Sequence, residues 1–257
     1  MKENDHRQVG YSAVEKALAF SVHVFTSLGV IAAILAIIAI SDYNASEDVL
    51  FLRKSMFWLF IAFVIDGIDG TFARKFKTQE VLPGWDGKSI DYVVDFATYA
   101  IIPAFFIYES GLLPEEVRWF GIFSVLLVSA LYYGKNGMVS PEKYFIGFPV
   151  MWNMVAFMMY FVTDFSEWTN FFFIMLFCVL HFVPIKYPYP SQMQYFQKLN
   201  IVASILFLVV NIAILYLFPQ KIVWLGAISF GIVLYFGAIS LYMTYLSDKK
   251  RKEGNLG

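Results

Sequence analysis

The chain has 257 residues, of which 59% are hydrophobic, 19% aromatic and only 15% charged, with a formal net charge of -1. Soluble domains carry about a quarter charged and about half apolar residues, so a water-soluble fold is disfavoured. Lys and Arg sit in short clusters between apolar runs, which excludes the continuous basic face that nucleic acid requires and leaves lipids and small molecules as the partners.

Ser12 followed by Glu15 has the spacing of a capping box and predicts a helix start ahead of the first apolar run. That run, 18–40, is too long for a signal-peptide core of roughly 7 to 15 residues and reads as a retained span, although Ala39 and Ser41 mimic a cleavage pair. Seven more apolar runs follow at 56–75, 87–108, 117–133, 146–163, 169–185, 201–218 and 222–246. They are continuously apolar rather than alternating, so the expected fold is an all-α, polytopic membrane bundle of about eight helices. The single cysteine, Cys178, lies inside one of these runs as packing and allows no intramolecular disulfide. His23 and His181 lie within apolar runs as well and read as hydrogen-bonded core histidines.

Loop charges set the orientation. With the N-terminus in the cytoplasm, that side collects 15 of the 19 Lys and Arg residues, leaving Arg53, Lys54, Arg118 and Lys221 outside. Both termini then face the cytoplasm, and the basic tail from Asp248 suits an anionic inner leaflet. No repeat or separate soluble segment interrupts the chain, so 1–257 reads as one membrane domain.

Ionisable groups inside spans are expensive, about 2.5 to 3.5 kcal/mol each on insertion scales, yet two consecutive spans carry four carboxylates. Asp66 and Asp69 are three apart, and Asp91 and Asp95 four apart, so each pair shares a helix face. At about 1.5 Å rise per residue, Asp66 lies roughly 12 Å from the Arg74 end of its span and Asp95 roughly 12 Å from the Gly87 start of the next. Two antiparallel helices therefore bring all four to one depth. Unpaired charges this close repel strongly, so they need protons or bridging cations. Oxygen-only ligation points to Mg²⁺ or Mn²⁺, while a carboxylate-lined cation transporter uses intramembrane acids too.

Asp66-Gly67-Ile68-Asp69-Gly70-Thr71-Phe72-Ala73-Arg74, followed by Gly87-x-x-x-Asp91-x-x-x-Asp95, resembles the signature of the CDP-alcohol phosphotransferase family at all eight of its positions. The loop between Arg74 and Gly87 is longer than in most members. With Val81-Leu82-Pro83 and Trp85-Asp86 it is similar to the bacterial phosphatidylcholine synthase branch. The likeness extends to Ala19-Phe20-Ser21-Val22-His23, to Thr98-Tyr99 with Pro103-Ala104, and to Tyr144-Phe145-x-Gly147-Phe148-Pro149-x-x-Trp152-Asn153. The signature occupies 66–95, and the helices at 201–246 are an addition to it.

The resemblance implies a metal-dependent transfer in which the choline hydroxyl attacks the diacylglycerol-linked phosphorus of CDP-diacylglycerol and CMP leaves. Asp66, Asp69 and Asp91 would be metal ligands, and Asp95 would be the base that also touches a second ion. Asp66, Asp69, Gly70, Ala73, Arg74 and Gly87 would bind CDP-diacylglycerol. The missing or small side chains of Gly70, Gly87 and Ala73 would let nucleotide or metal approach the backbone, although close helix packing also explains the glycines. Arg74 would hold phosphate. The resemblance further implies the bacterial inner membrane, a cytoplasm-facing site and a homodimer. A sister enzyme using serine or inositol, or the CDP-choline plus diacylglycerol direction, shares the same signature. No buried Arg or Lys beyond Arg74 awaits a phosphorylated acceptor. Choline lacks an N–H donor, so its ammonium calls for aromatic faces. The cluster Tyr132, Tyr133, Tyr144, Phe148 and Trp152 offers them, with Trp152 and Tyr144 as the expected walls and Pro149 bending the fifth span.

Overall fold

The structure, a computed structural model, describes residues 10–189, 196–252 and 254. Lys2 and Arg7, counted above for orientation, lie outside the described residues. The long helices are α1 (Ala13–Ser46), α2 (Leu50–Lys75), α4 (Gly87–Glu109), α5 (Glu115–Tyr133), α8 (Gln197–Leu217) and α9 (Val223–Lys252). A single turn, α3 (Thr78–Val81), lies in the loop before α4. The shorter helices α6 (Trp152–Val162) and α7 (Glu167–Leu180) complete an all-α, multi-pass membrane bundle.

The predicted capping box forms: the Ser12 hydroxyl accepts from Glu15 N at 3.2 Å and Glu15 accepts from Ser12 N at 2.8 Å. The α1–α2 hairpin shows why this sequence belongs in lipid. Ala32, Ala33, Ala36 and Ala39 are buried while Ile31, Ile34 and Ile38 are exposed. Small residues let the backbones approach, and the bulky aliphatics face the hydrocarbon, where burying them in protein would gain little over lipid. Farther along the chain, buried amides tie α8 to α9: Tyr235 Oη donates to Asn200 at 2.9 Å and Ser229 Oγ to Asn211 at 2.6 Å.

Six helices are long and apolar enough to cross a membrane, whereas α6 and α7 are shorter. At about 1.5 Å per residue they reach roughly 17 and 21 Å, against about 30 Å of hydrocarbon. The expected span at 146–163 begins its helix only at Trp152, because the residues before it are committed elsewhere. Strand β1 (Tyr144–Ile146) pairs antiparallel with β2 (Lys186–Pro188), Tyr144 standing opposite Pro188. Gly147 follows at φ +92° and packs so tightly on the His181 carbonyl that a Cβ would collide with it. Pro149 therefore precedes the helix and does not bend it.

Within α4, residues Phe96–Ile101 form a π-helical stretch beginning directly after Asp95. Pro103, which has no N–H to give the carbonyl of Tyr99, lies just beyond it and disturbs the regular ladder.

Candidate active site

The antiparallel pairing of α2 and α4 beside α1 assembles the acids. Asp66, Asp91 and Asp95 each contribute a carboxylate oxygen to a group whose members all lie within 4.8 Å of one another. Asp69 is outside that group, 6% exposed, and its Oδ2 accepts from Thr26 Oγ1 of α1 at 2.7 Å. It lies three residues beyond Asp66, on the same face of α2. Asp66 Oδ2 accepts from Tyr99 Oη at 2.7 Å. Asp91 and Asp95 accept no hydrogen bond from a described residue. Two acids are thus oriented by hydroxyls and two keep their lone pairs open.

The ion pairs among the described residues, Lys77–Glu80, Lys186–Glu142 and Lys221–Asp164, all lie elsewhere. Three close carboxylate oxygens without nitrogen, sulfur or a neutralising base fit a hard divalent cation.

The remaining signature residues lie on the same two helices, toward the loop that joins them. Arg74 is exposed and folds back along α2, its Nη2 donating to Thr71 Oγ1 at 3.1 Å. Its Nη1 would stand 3.4 Å from a Cβ at Gly70, so the bare glycine accommodates the guanidinium. Ala73 is half-buried one turn from Asp69. Gly87 opens α4, where Asp86 caps the helix by accepting from Lys88 N at 3.1 Å and Ser89 Oγ at 2.5 Å. The Ser89 hydroxyl holds the Asp86 carboxyl below its ordinary range.

Of the two histidines within apolar runs, His181 meets the expectation, its Nδ1 lying 2.7 Å from the Phe177 carbonyl. His23 differs: it is 6% exposed, its Nε2 has no partner among the described residues, and its ring lies between Gly87 and Trp85.

Trp152 and Tyr144 do not face a common space. Trp152 is 0% exposed, donates its Nε1 to Ser129 at 2.9 Å and stacks on His181 at 5.4 Å. Tyr132 and Phe148 approach the same imidazole, each at 5.4 Å. Of the five aromatics read from the sequence as a cage, Tyr132, Phe148 and Trp152 converge, and His181 fills the space between them, while Tyr133 packs on Tyr92 and Phe96. Tyr144, 2% exposed, belongs to a separate cluster with Met243, and Lys186 Nζ lies 5.8 Å from its ring centroid. Tyr99 and Thr26 are the site residues that sequence reasoning missed. The available signal was their polarity inside apolar spans, together with the one-turn spacing of Tyr99 from Asp95.

Facing carboxylates on two antiparallel membrane helices, completed by Gly70, Ala73, Arg74 and Gly87 of the same signature, define a transferase of CDP-activated lipids. The chain belongs to the CDP-alcohol phosphatidyltransferase family, which it matches over residues 19–183. It is 35% identical over 237 residues to the phosphatidylcholine synthase of Rhizobium meliloti, covering 91% of this chain and 94% of that protein. Similarity to the phosphatidylcholine synthase of Agrobacterium fabrum is 32% over 252 residues, covering 97% and 100% of the two chains. The protein of that name from Pseudomonas aeruginosa is 35% identical over 230 residues, or 89% and 93%.

Proposed function

We propose that the chain is a phosphatidylcholine synthase that transfers the phosphatidyl group of CDP-diacylglycerol to choline and releases CMP. The observation that carries this reading is the three-carboxylate group in a chain similar over 91% of its length to a protein of that name.

A bound Mg²⁺ or Mn²⁺ would neutralise pyrophosphate charge as it moves onto the leaving CMP. Asp66, Asp69 and Asp91 would hold the ion, with Tyr99 and Thr26 fixing the directions of Asp66 and Asp69. Asp95, whose oxygens are not engaged by a described donor, takes the hydroxyl proton of choline onto a carboxylate oxygen. The freed oxygen then forms a bond to the lipid-linked phosphorus as the bond to CMP breaks. Arg74, unpaired by any described acid and lying over Gly70, is placed to meet phosphate with its planar fork.

The 15-to-4 partition of cations supports a cytoplasm-facing site in the bacterial inner membrane. We read 1–257 as one domain, supported by the packing of α8 on α2 and of both α8 and α9 on α6. A homodimer rests on the family resemblance alone.

The test is the full-length chain in lipid vesicles with CDP-diacylglycerol and labelled choline. Labelled phosphatidylcholine and CMP in equal amounts support the reading. Lipid formed only from serine or inositol, or only from CDP-choline and diacylglycerol, replaces it with a sister reaction. Choline uptake without lipid product replaces it with transport.

A further inference from the structure

We propose that the quaternary ammonium of choline is held by an aromatic wall beside Asp95, formed by Tyr133 of α5 and Phe96 of α4, in which Tyr133 is the principal face. The inference rests on the choline reading above and says where specificity for that acceptor resides.

The chemistry of the acceptor narrows the search. A quaternary nitrogen has no hydrogen to donate, so ring faces and nearby negative charge are the groups that recognise it. Its nitrogen is joined to the hydroxyl by only two carbons. Once the hydroxyl oxygen reaches the Asp95 carboxylate, the ammonium must rest against whatever flanks Asp95. The rings of Trp152, Phe148 and Tyr132 are closed around His181, and the Tyr144 ring already has Lys186 near its face.

Four rings remain near the acids. Tyr99 is 5% exposed and its hydroxyl is given to Asp66, so it orients a ligand and offers no open face. Phe96 directly follows Asp95, and Tyr92 directly follows Asp91. Tyr133, the last residue of α5, approaches both, with ring centroids 5.5 Å from Tyr92 and 6.0 Å from Phe96, the latter edge-on at 89°. All three rings are half-buried, packed enough to be rigid and open enough to be reached.

Tyr133 packs on the α4 residues that follow the two open acids, tilted on Tyr92 and edge-on to Phe96, and its hydroxyl makes no hydrogen bond to a described residue. One member of the trio already attracts a cation: Lys88 Nζ lies 5.2 Å from the Tyr92 centroid. With that face of Tyr92 in use, Tyr133 and Phe96, whose planes meet at 89°, are left to form the corner that receives the trimethylammonium.

The experiment measures both Michaelis constants for the full-length enzyme in vesicles. Tyr133→Leu removes the face, and the KM for choline rises at least about tenfold while that for CDP-diacylglycerol stays within about twofold. Tyr133→Phe, which restores the ring without the hydroxyl, brings the choline KM back to within about threefold of the parent. Phe96→Leu is the second variant, with the same selective rise expected if Tyr133→Leu fails to accumulate. A choline KM unchanged in Tyr133→Leu, an equal rise for both substrates, or a Tyr133→Phe enzyme as impaired as the leucine variant overturns the proposal. A parent enzyme that makes no phosphatidylcholine from choline defeats the functional reading itself. A parent that makes it, with a leucine variant of unchanged choline KM, defeats only the wall.

Discussion

Gly87→Ala probes the contact between α1 and α4 that sets the depth of the acids. A Cβ at Gly87 would lie 2.8 Å from His23 Cε1 and 3.3 Å from Nδ1, inside the optimal carbon contact of about 3.5 to 4.0 Å. The imidazole cannot simply swing aside, since it is 6% exposed and lies against Trp85 at 6.3 Å between centroids. Overpacking of this kind costs about 1 to 3 kcal/mol. For a chain of this size that lowers the midpoint of thermal unfolding by about 2 to 4 °C per kcal/mol. Gly87 is also one turn from Asp91, so pushing α4 away displaces a carboxylate of the site, and misplacement near 1 Å can lower turnover about 10²-fold. The assay is a double-mutant cycle in detergent, scoring unfolding midpoint and phosphatidylcholine formation. His23→Ala opens the space that the new methyl group needs, so the double variant should recover most of the loss, a coupling of about 1 kcal/mol or more. A Gly87→Ala protein as stable and active as the parent, or an equal loss in both backgrounds, refutes the contact as the reason for this glycine.

Asp95→Asn should lower turnover by about 10² to 10⁴ while the protein still binds CDP-diacylglycerol, whereas Asp66→Asn should also lose metal-dependent nucleotide binding; Asp95→Asn turnover within about tenfold of the parent removes the base role. Tyr99→Phe withdraws the one hydroxyl that donates to Asp66 among the described residues, a loss of about 1 to 3 kcal/mol, and calorimetric titration should show divalent-ion affinity falling about 10- to 100-fold. Asp86 has its carboxyl held below the ordinary 3.8 by Ser89, so its stabilisation is present above that value and is lost as pH falls through the lower folded value. The stability deficit of Asp86→Ala should therefore be full at neutral pH and shrink in acid, and a deficit independent of pH would exclude the charged cap. Alkaline-phosphatase fusions should be inactive after Gly257 and active after Glu109, and the reverse pattern inverts the topology.

The long helices were legible because lipid demands continuous apolar runs, and 18–40 and 87–108 fall within α1 and α4. The four acids were legible because their cost in a span is otherwise unexplained. The short α6 was not. Apolarity continues from 146 to 163, and only the pairing of Tyr144 with Pro188 and the contact of Gly147 with His181 show that the chain is extended before Trp152. The aromatic box was legible as composition but not as occupancy. Tyr132, Phe148 and Trp152 converge without Tyr133 and Tyr144, and the ring they enclose belongs to His181, over 25 residues away in sequence at the end of α7. Long-range contacts of that kind leave no periodic trace.

The hydroxyl donors resolve a difficulty that four acids in lipid create. If every carboxylate were free to rotate, mutual repulsion would scatter them before a cation arrived. If every one were held by hydroxyl donors, each would be a weaker base toward the proton that must be taken during turnover. Thr26 on α1 and Tyr99 on α4 each anchor one acid of α2, Asp69 and Asp66 respectively, so three helices agree on where that pair points. Asp91 and Asp95, both on α4, keep their oxygens available within the 4.8 Å group that Asp66 helps define. Preorganised charge is worth most where water is scarce and reorganisation is costly, and a fixed pair facing an open pair supplies the fixed geometry without consuming the acceptor that chemistry needs.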